Sequence, residues 1–189
     1  MKQKEAKAAA NEAKVIALAH CLLNQATRWR QNNEMPKASG PAKEVIETLF
    51  TQKIGVIQLP CPEFTFCGNP RPPRTKDEYE NLPGFRQHCE RLAEKSAGEL
   101  KALATMGNAP RIRVLAIIGV EHSPTCSVNS APRGVGCKAE YANEMGLFFE
   151  ILGKEIEKSG LKIPFMEMGF RKSVDFGKQL DEFLKCKDL

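Results

Sequence analysis

The sequence predicts an α/β fold, a single-domain parallel sheet with flanking helices in the manner of a Rossmann-like three-layer sandwich. Three observations predict it. Val15 to Ala19, Ile54 to Leu59, Arg113 to Gly119 and Lys162 to Met168 read as strands, the first being a compact apolar run suited to burial on both faces. Segments with apolar residues at helical spacing separate these runs and follow the last. The resulting order, β-α-β-α-β-α-β-α, is that of right-handed crossovers over a parallel sheet.

Residues 1–14 are rich in Lys, Ala and Glu and read as a polar extension, leaving 15–189 as a single domain. Asn24 to Ser39 is polar and reads as a loop. From Pro41, the residues Ala42, Val45, Ile46, Leu49 and Phe50 recur at helical spacing, with the proline tolerated in the first turn. The second strand is expected to stop at Pro60 and Pro62. Gly68 to Pro73 is expected to be an ordered loop, because its three prolines cannot continue a regular element.

Asp77 to Met106 carries Phe85, Cys89, Leu92, Leu100 and Leu103 at helical intervals, with a break expected near Pro83-Gly84. Val114 to Ile118 makes the third strand the clearest of the four. Glu121 to Lys138 is rich in Ser, Pro, Asn and Gly and reads as one long functional loop. Tyr141, Met145, Phe148, Leu152 and Ile156 predict an amphipathic helix ending near Gly160, and Phe176, Leu180, Phe183 and Leu184 predict a terminal one.

The chain has 189 residues, enough for one domain with a sizeable core. Its net charge of +5 comes from 28 Lys and Arg interspersed with 23 Asp and Glu. That mixture is a solvated surface, and no basic stripe with interleaved aromatics points to a stable nucleic-acid partner. No run reaches the roughly 18 apolar residues of a membrane span. The N-terminal stretch lacks the apolar core of a secretory signal, so a cytoplasmic protein is expected.

Seven cysteines without a secretory signal suggest reduced thiols, metal or redox chemistry in preference to a disulfide framework. No C-x-x-C is present. Cys89 and Cys186 fall within helix patterns, and Cys67 and Cys137 fall in expected loops. Cys21, Cys61 and Cys126 differ, because each sits at or just beyond the end of a predicted strand. In a parallel sheet those ends lie side by side at the crevice where open α/β folds bind ligands. Burial as incidental thiols, a zinc site completed by His20 or His122, and an iron-sulfur cluster with one open iron all remain open from spacing alone.

The segments Ala19-His20-Cys21-Leu22-Leu23-Asn24, Cys61-Pro62-Glu63 and Ser123-Pro124-Thr125-Cys126 resemble the three motifs of the thiouracil desulfidase (TudS) family. The resemblance runs from about Val15 to Met168 and includes Gly146-Leu147-Phe148-Phe149-Glu150. It implies a small α/β protein with a 4Fe-4S cluster bound by Cys21, Cys61 and Cys126, whose fourth iron takes sulfur from a small thiolated substrate. It also implies Glu63 and Ser123 as catalytic residues for proton transfer and substrate positioning.

Asn24, Asn129 and Arg133 lie in the same loops and are candidates for substrate binding. Taken alone, Glu63 and Ser123 read as turn-capping residues, and the other three read at least equally as solvated loop residues. The chain departs from the family pattern at Asn24-Gln25, at Trp29 and at Ser127, positions that border the expected pocket. A non-catalytic iron-sulfur module or a zinc-binding protein is the alternative reading of the same thiols.

Overall fold

The structure is a computed structural model that describes residues 12–29, 42–136, 140–169 and 176–186. Four parallel strands form one sheet: β1 (Glu12–Leu18), β2 (Gly55–Gln58), β3 (Arg111–Val120) and β6 (Phe165–Met168), in the order β2-β1-β3-β6. The expected fold class is the observed one. β1 starts at Glu12, inside the stretch read from sequence as a polar extension, because Glu12, Ala13 and Lys14 pair with Arg111, Ile112 and Arg113 of β3.

Ile16, Ala17 and Leu18 of β1 and Ala116, Ile117 and Ile118 of β3 are buried, which accounts for their continuous apolar character. Each large aliphatic side chain so placed contributes roughly 1.5 to 3 kcal/mol. At the edge, β2 is more open, and Val56 is exposed.

The helices are α1 (His20–Leu23), α2 (Ala42–Thr51), α3 (Pro62–Cys67), α4 (Lys76–Glu80), α5 (Phe85–Met106), α6 (Leu147–Lys158) and α7 (Phe176–Cys186). A 3-10 turn spans Gln25–Thr27. Helix α2 packs on α7, while α5 packs on α6 and β3. The chain moves outward from β1 to β2, then crosses back to β3 and onward to β6. Right-handed crossovers therefore set α2 on one face and α5 and α6 on the other. The reversal makes the β1/β3 boundary a topological switch point, the usual ligand crevice of such sheets.

The second strand ends before Pro60, as expected, and Pro62 opens a helix the sequence reading did not include, α3, where its missing N–H costs nothing and the Cys61 side chain serves as N-cap. Two expectations from sequence need correction. Glu121 to Lys138 is not wholly irregular, since β4 (Ala131–Arg133) pairs antiparallel with β5 (Glu140–Ala142). Tyr141 therefore belongs to β5, and the following helix starts at Leu147. The break near Pro83-Gly84 is present, with Gly84 at φ 81° before Phe85. Most of the loop expected after Asn24 and Cys137 lie outside the described residues.

Candidate active site

Each of the three cysteines follows a strand of the parallel sheet. Cys21 lies in α1 directly after β1, Cys61 precedes α3 after β2, and Cys126 lies in the turn after β3. Cys61 and Cys126 are buried, and Cys21 is partly buried. Burial pushes the Cys21 thiol up to about 12, helped by the neighbouring Cys61 and Glu63. Burial and Glu63 push Cys61 up to about 12, and burial, Cys61 and Cys21 drive Cys126 well upward. The three thiols thus sense one another as charges: they favour either three protons or a cationic partner that replaces them.

Glu63, in the first turn of α3, is buried among these thiols, with 8% of its surface exposed. Its Oε1 accepts from Thr125 Oγ1 at 2.7 Å, and its Oε2 accepts from Tyr79 at 3.2 Å and Arg71 Nη2 at 3.4 Å. Donors from three separate segments therefore fix one carboxylate. Tyr79 stacks on Phe85 with centroids 4.4 Å apart. Arg71 also donates to the carbonyls of Thr27 and Gly68 and to Asn69 Oδ1. Arg71, Tyr79 and Thr125 escaped the sequence reading because their contacts depend on packing; Thr125 alone stood inside a quoted motif.

Ser123 Oγ accepts the backbone N–H of Thr125 and of Cys126, at 3.3 and 3.0 Å, so it shapes the turn that presents the thiol. It lies 3.4 Å from Thr125 Oγ1. Asn24 is exposed and its Oδ1 accepts from Ala26 N at 3.1 Å, capping the 3-10 turn. Asn129 is exposed, and its backbone N–H and side-chain amide both donate to Glu167. Arg133 donates to Asp77 at 2.7 Å, to Glu80 at 2.6 Å and to both oxygens of Glu144. Those carboxylates bind the β4-β5 hairpin to α4.

Cys67 ends α3 and accepts from Arg74 at 3.5 Å, while Cys89 is buried in α5. His122 is exposed and left-handed at φ 64°, with its ring on Tyr141 at 4.0 Å and Nδ1 2.6 Å from Ser130 Oγ.

Two orphaned atoms test whether these residues suit a bound inorganic centre. His20 Nε2 and Ser127 Oγ are buried and have no hydrogen-bond partner among the described residues. They flank Cys21 and Cys126 in sequence. A buried polar atom left unpaired costs about 1 to 3 kcal/mol. Iron-sulfur centres accept hydrogen bonds at sulfur, so a serine hydroxyl beside Cys126 matches that chemistry. Among the described residues no three His, Cys, Asp or Glu side chains stand close enough to share a single ion. Two buried thiols and a partly buried third, with unsatisfied polar neighbours, fit a larger, cationic iron-sulfur body.

A parallel α/β sheet, with a buried carboxylate and three thiols at the strand ends where its strand order reverses, defines a doubly wound protein with a thiol-bearing switch point. Residues 13–164 match the family model described as "Putative 2-thiouracil desulfurase", and the chain belongs to that family. It is similar to "Uncharacterized protein MJ0003" of Methanocaldococcus jannaschii, with 29% identity over 177 residues, 91% of this chain and 97% of that protein. It also shares its fold with a solved 4Fe-4S-dependent thiouracil desulfidase, TudS, at a TM-score of 0.52 and 17% identity, over 92% of this chain and 97% of the other. No helix among the described residues is long and apolar enough to cross a membrane.

Proposed function

We propose that this protein removes sulfur, without net redox change, from a thiocarbonyl compound such as a thiolated nucleobase or nucleoside, using a 4Fe-4S cluster held by Cys21, Cys61 and Cys126. The observation that carries this reading is the convergence of Glu63 with two strand-end thiols: Glu63 is buried and accepts from Thr125 at 2.7 Å, Thr125 Oγ1 lies 3.5 Å from Cys126 Sγ, and Cys61 caps the helix that carries Glu63. Membership of a desulfurase family supports it. When bound, the cluster supplies a Lewis-acidic iron able to accept sulfur.

The chain's own groups account for the remaining needs of the reaction. Water adds its oxygen to the thiocarbonyl carbon, the carbon-sulfur bond breaks, and the two hydrogens of water leave with sulfur as hydrogen sulfide. Glu63, oriented by Thr125, Tyr79 and Arg71, takes the proton from the attacking water. Ser123 holds the Cys126 turn through two N–H bonds and so positions the substrate side of the site. Asn24 and Asn129 are assigned to the rim, where their side chains reach solvent. Arg133 we assign to holding the hairpin, because three carboxylates already occupy its guanidinium.

Anaerobic reconstitution, iron and sulfide counting, and sulfide release from a panel of thiolated bases and nucleosides test the proposal. The expected result is about four irons per chain and release of sulfide with the oxygen analogue. Cys126→Ser should lose most of the iron. Zinc without inorganic sulfide, or a full cluster with no sulfide release from any compound, would overturn it.

A further inference from the structure

Glu63 and Ser123 leave the sheet from different strands, yet a single buried hydroxyl connects them. Thr125 Oγ1 lies 2.7 Å from Glu63 Oε1 and 3.4 Å from Ser123 Oγ. The direction of each hydrogen bond follows from the groups available. A carboxylate only accepts, so the one hydrogen of Thr125 goes to Glu63. Thr125 then presents lone pairs to its other neighbours. Ser123 Oγ already accepts the N–H groups of Thr125 and Cys126, which leaves its own hydrogen to point at Thr125 Oγ1.

The chain therefore runs one way, from backbone N–H through Ser123 and Thr125 to Glu63. Bonds aligned in this manner polarise one another, most strongly away from water. Thr125 is 1% exposed, so solvent does not compete for its hydroxyl. The same oxygen lies 3.5 Å from Cys126 Sγ, so the chain passes directly beside the cysteine.

We infer that Thr125 is a positioning residue that makes Glu63 and Ser123 act as one coupled unit instead of two independent groups. The inference rests on the desulfidase reading given above. Removing the middle hydroxyl leaves Glu63 Oε1 without this donor and Ser123 without this acceptor. A valine keeps the shape of threonine and removes the hydroxyl, whereas a serine keeps the hydroxyl.

The test compares Thr125→Val and Thr125→Ser with Glu63→Gln, Ser123→Ala and the Glu63→Gln/Ser123→Ala double variant, with 2-thiouracil as the first probe and the most active compound of the panel thereafter. The readouts are iron and sulfide per chain, kcat and KM. Thr125→Val is expected to keep its iron and sulfide while kcat falls about tenfold or more, the loss of one charge-assisted hydrogen bond, with KM changed less than about twofold. Thr125→Ser is expected to restore most of kcat. The losses in Glu63→Gln and Ser123→Ala should fail to multiply in the double variant, as residues acting as a unit do.

Wild-type kcat in Thr125→Val, or equal losses in the valine and serine variants, overturns the inference. So does full multiplication in the double variant, a result that does not depend on whether Thr125→Val folds. A cluster-loaded wild type that releases no sulfide instead overturns the desulfidase reading, and this inference with it.

Discussion

The exits of β1 and β3 border the same crevice and each delivers a cysteine, but they are built very differently. Around Cys126, Val120 N–H donates to the Cys126 carbonyl, and the α6 amides of Leu147 and Phe149 donate to the carbonyls of Pro124 and Thr125. The turn thus satisfies helix-start donors that would otherwise lack partners. Glu167 adds bonds from the N–H groups of Val128 and Asn129, at 2.6 and 3.0 Å. Around Cys21 there is one helical turn, with Ala19 at its start offering no side-chain cap. Leu22 N–H bonds Ala19 O and Asn24 N–H bonds His20 O. The two exits are secured differently across one site: the exit of β3 is bonded into α6 and β6, whereas the exit of β1 is closed mainly by its own short turns, with Ala19 N–H reaching the Ile118 carbonyl.

The sharpest way to break this contrast is Gly119→Ala. A Cβ at Gly119 would lie 1.9 Å from the Cys126 carbonyl oxygen and 2.5 Å from the Phe149 ring. One obstacle is backbone and the other a packed aromatic side chain, so relief requires moving the cysteine turn itself. A loss of at least about 3 kcal/mol in denaturant stability is expected, with iron retention falling alongside. Near-wild-type stability would show that the turn is not the rigid partner.

Acid provides a second, smaller test of the β3 side. The Gly134 N–H, followed by Arg133, holds the Asp77 carboxyl below its usual range. Arg133 and Lys76 lower Glu144 likewise, and Arg133 itself stays cationic. A carboxyl lowered on folding adds stability that is complete above its unfolded value and disappears as pH falls through the folded one. These groups are about one-third exposed, so the expected contribution is about 1 kcal/mol. Wild type should therefore exceed Asp77→Asn by about that amount near neutral pH, with the gap closing below about pH 4. A gap that persists in acid would mean the hairpin is not secured by these charges.

What the sequence made legible divides along the same line. The apolar runs of β1 and β3 were visible because strands covered on both faces must be continuously apolar. The three cysteines were visible by their position after such runs. Helix α3 was concealed because Pro60-Cys61-Pro62 reads as a chain of breakers, although proline suits a first helical turn. The β4-β5 hairpin was concealed because its strands have three residues each and expose Tyr141. Arg71 and Tyr79 reach Glu63 from 8 and 16 residues away in sequence, over a spacing that no local period encodes.

The smallest expected effect lies on the β1 side and separates two roles for Asn24. Its Oδ1 accepts from Ala26 N–H, a cap whose removal costs about 1 kcal/mol, near the typical value for such residues. Its amide hydrogens, on an exposed side chain, remain available to a bound ring. Asn24→Asp keeps a capping oxygen and loses those hydrogens; Asn24→Ala loses both. If Asn24 acts on substrate, both variants raise KM in sulfide-release assays, while Asn24→Ala alone lowers the denaturation midpoint. If capping is its whole role, Asn24→Asp resembles wild type in both measurements. The β1 exit would then contribute its thiol and leave recognition to the exit of β3.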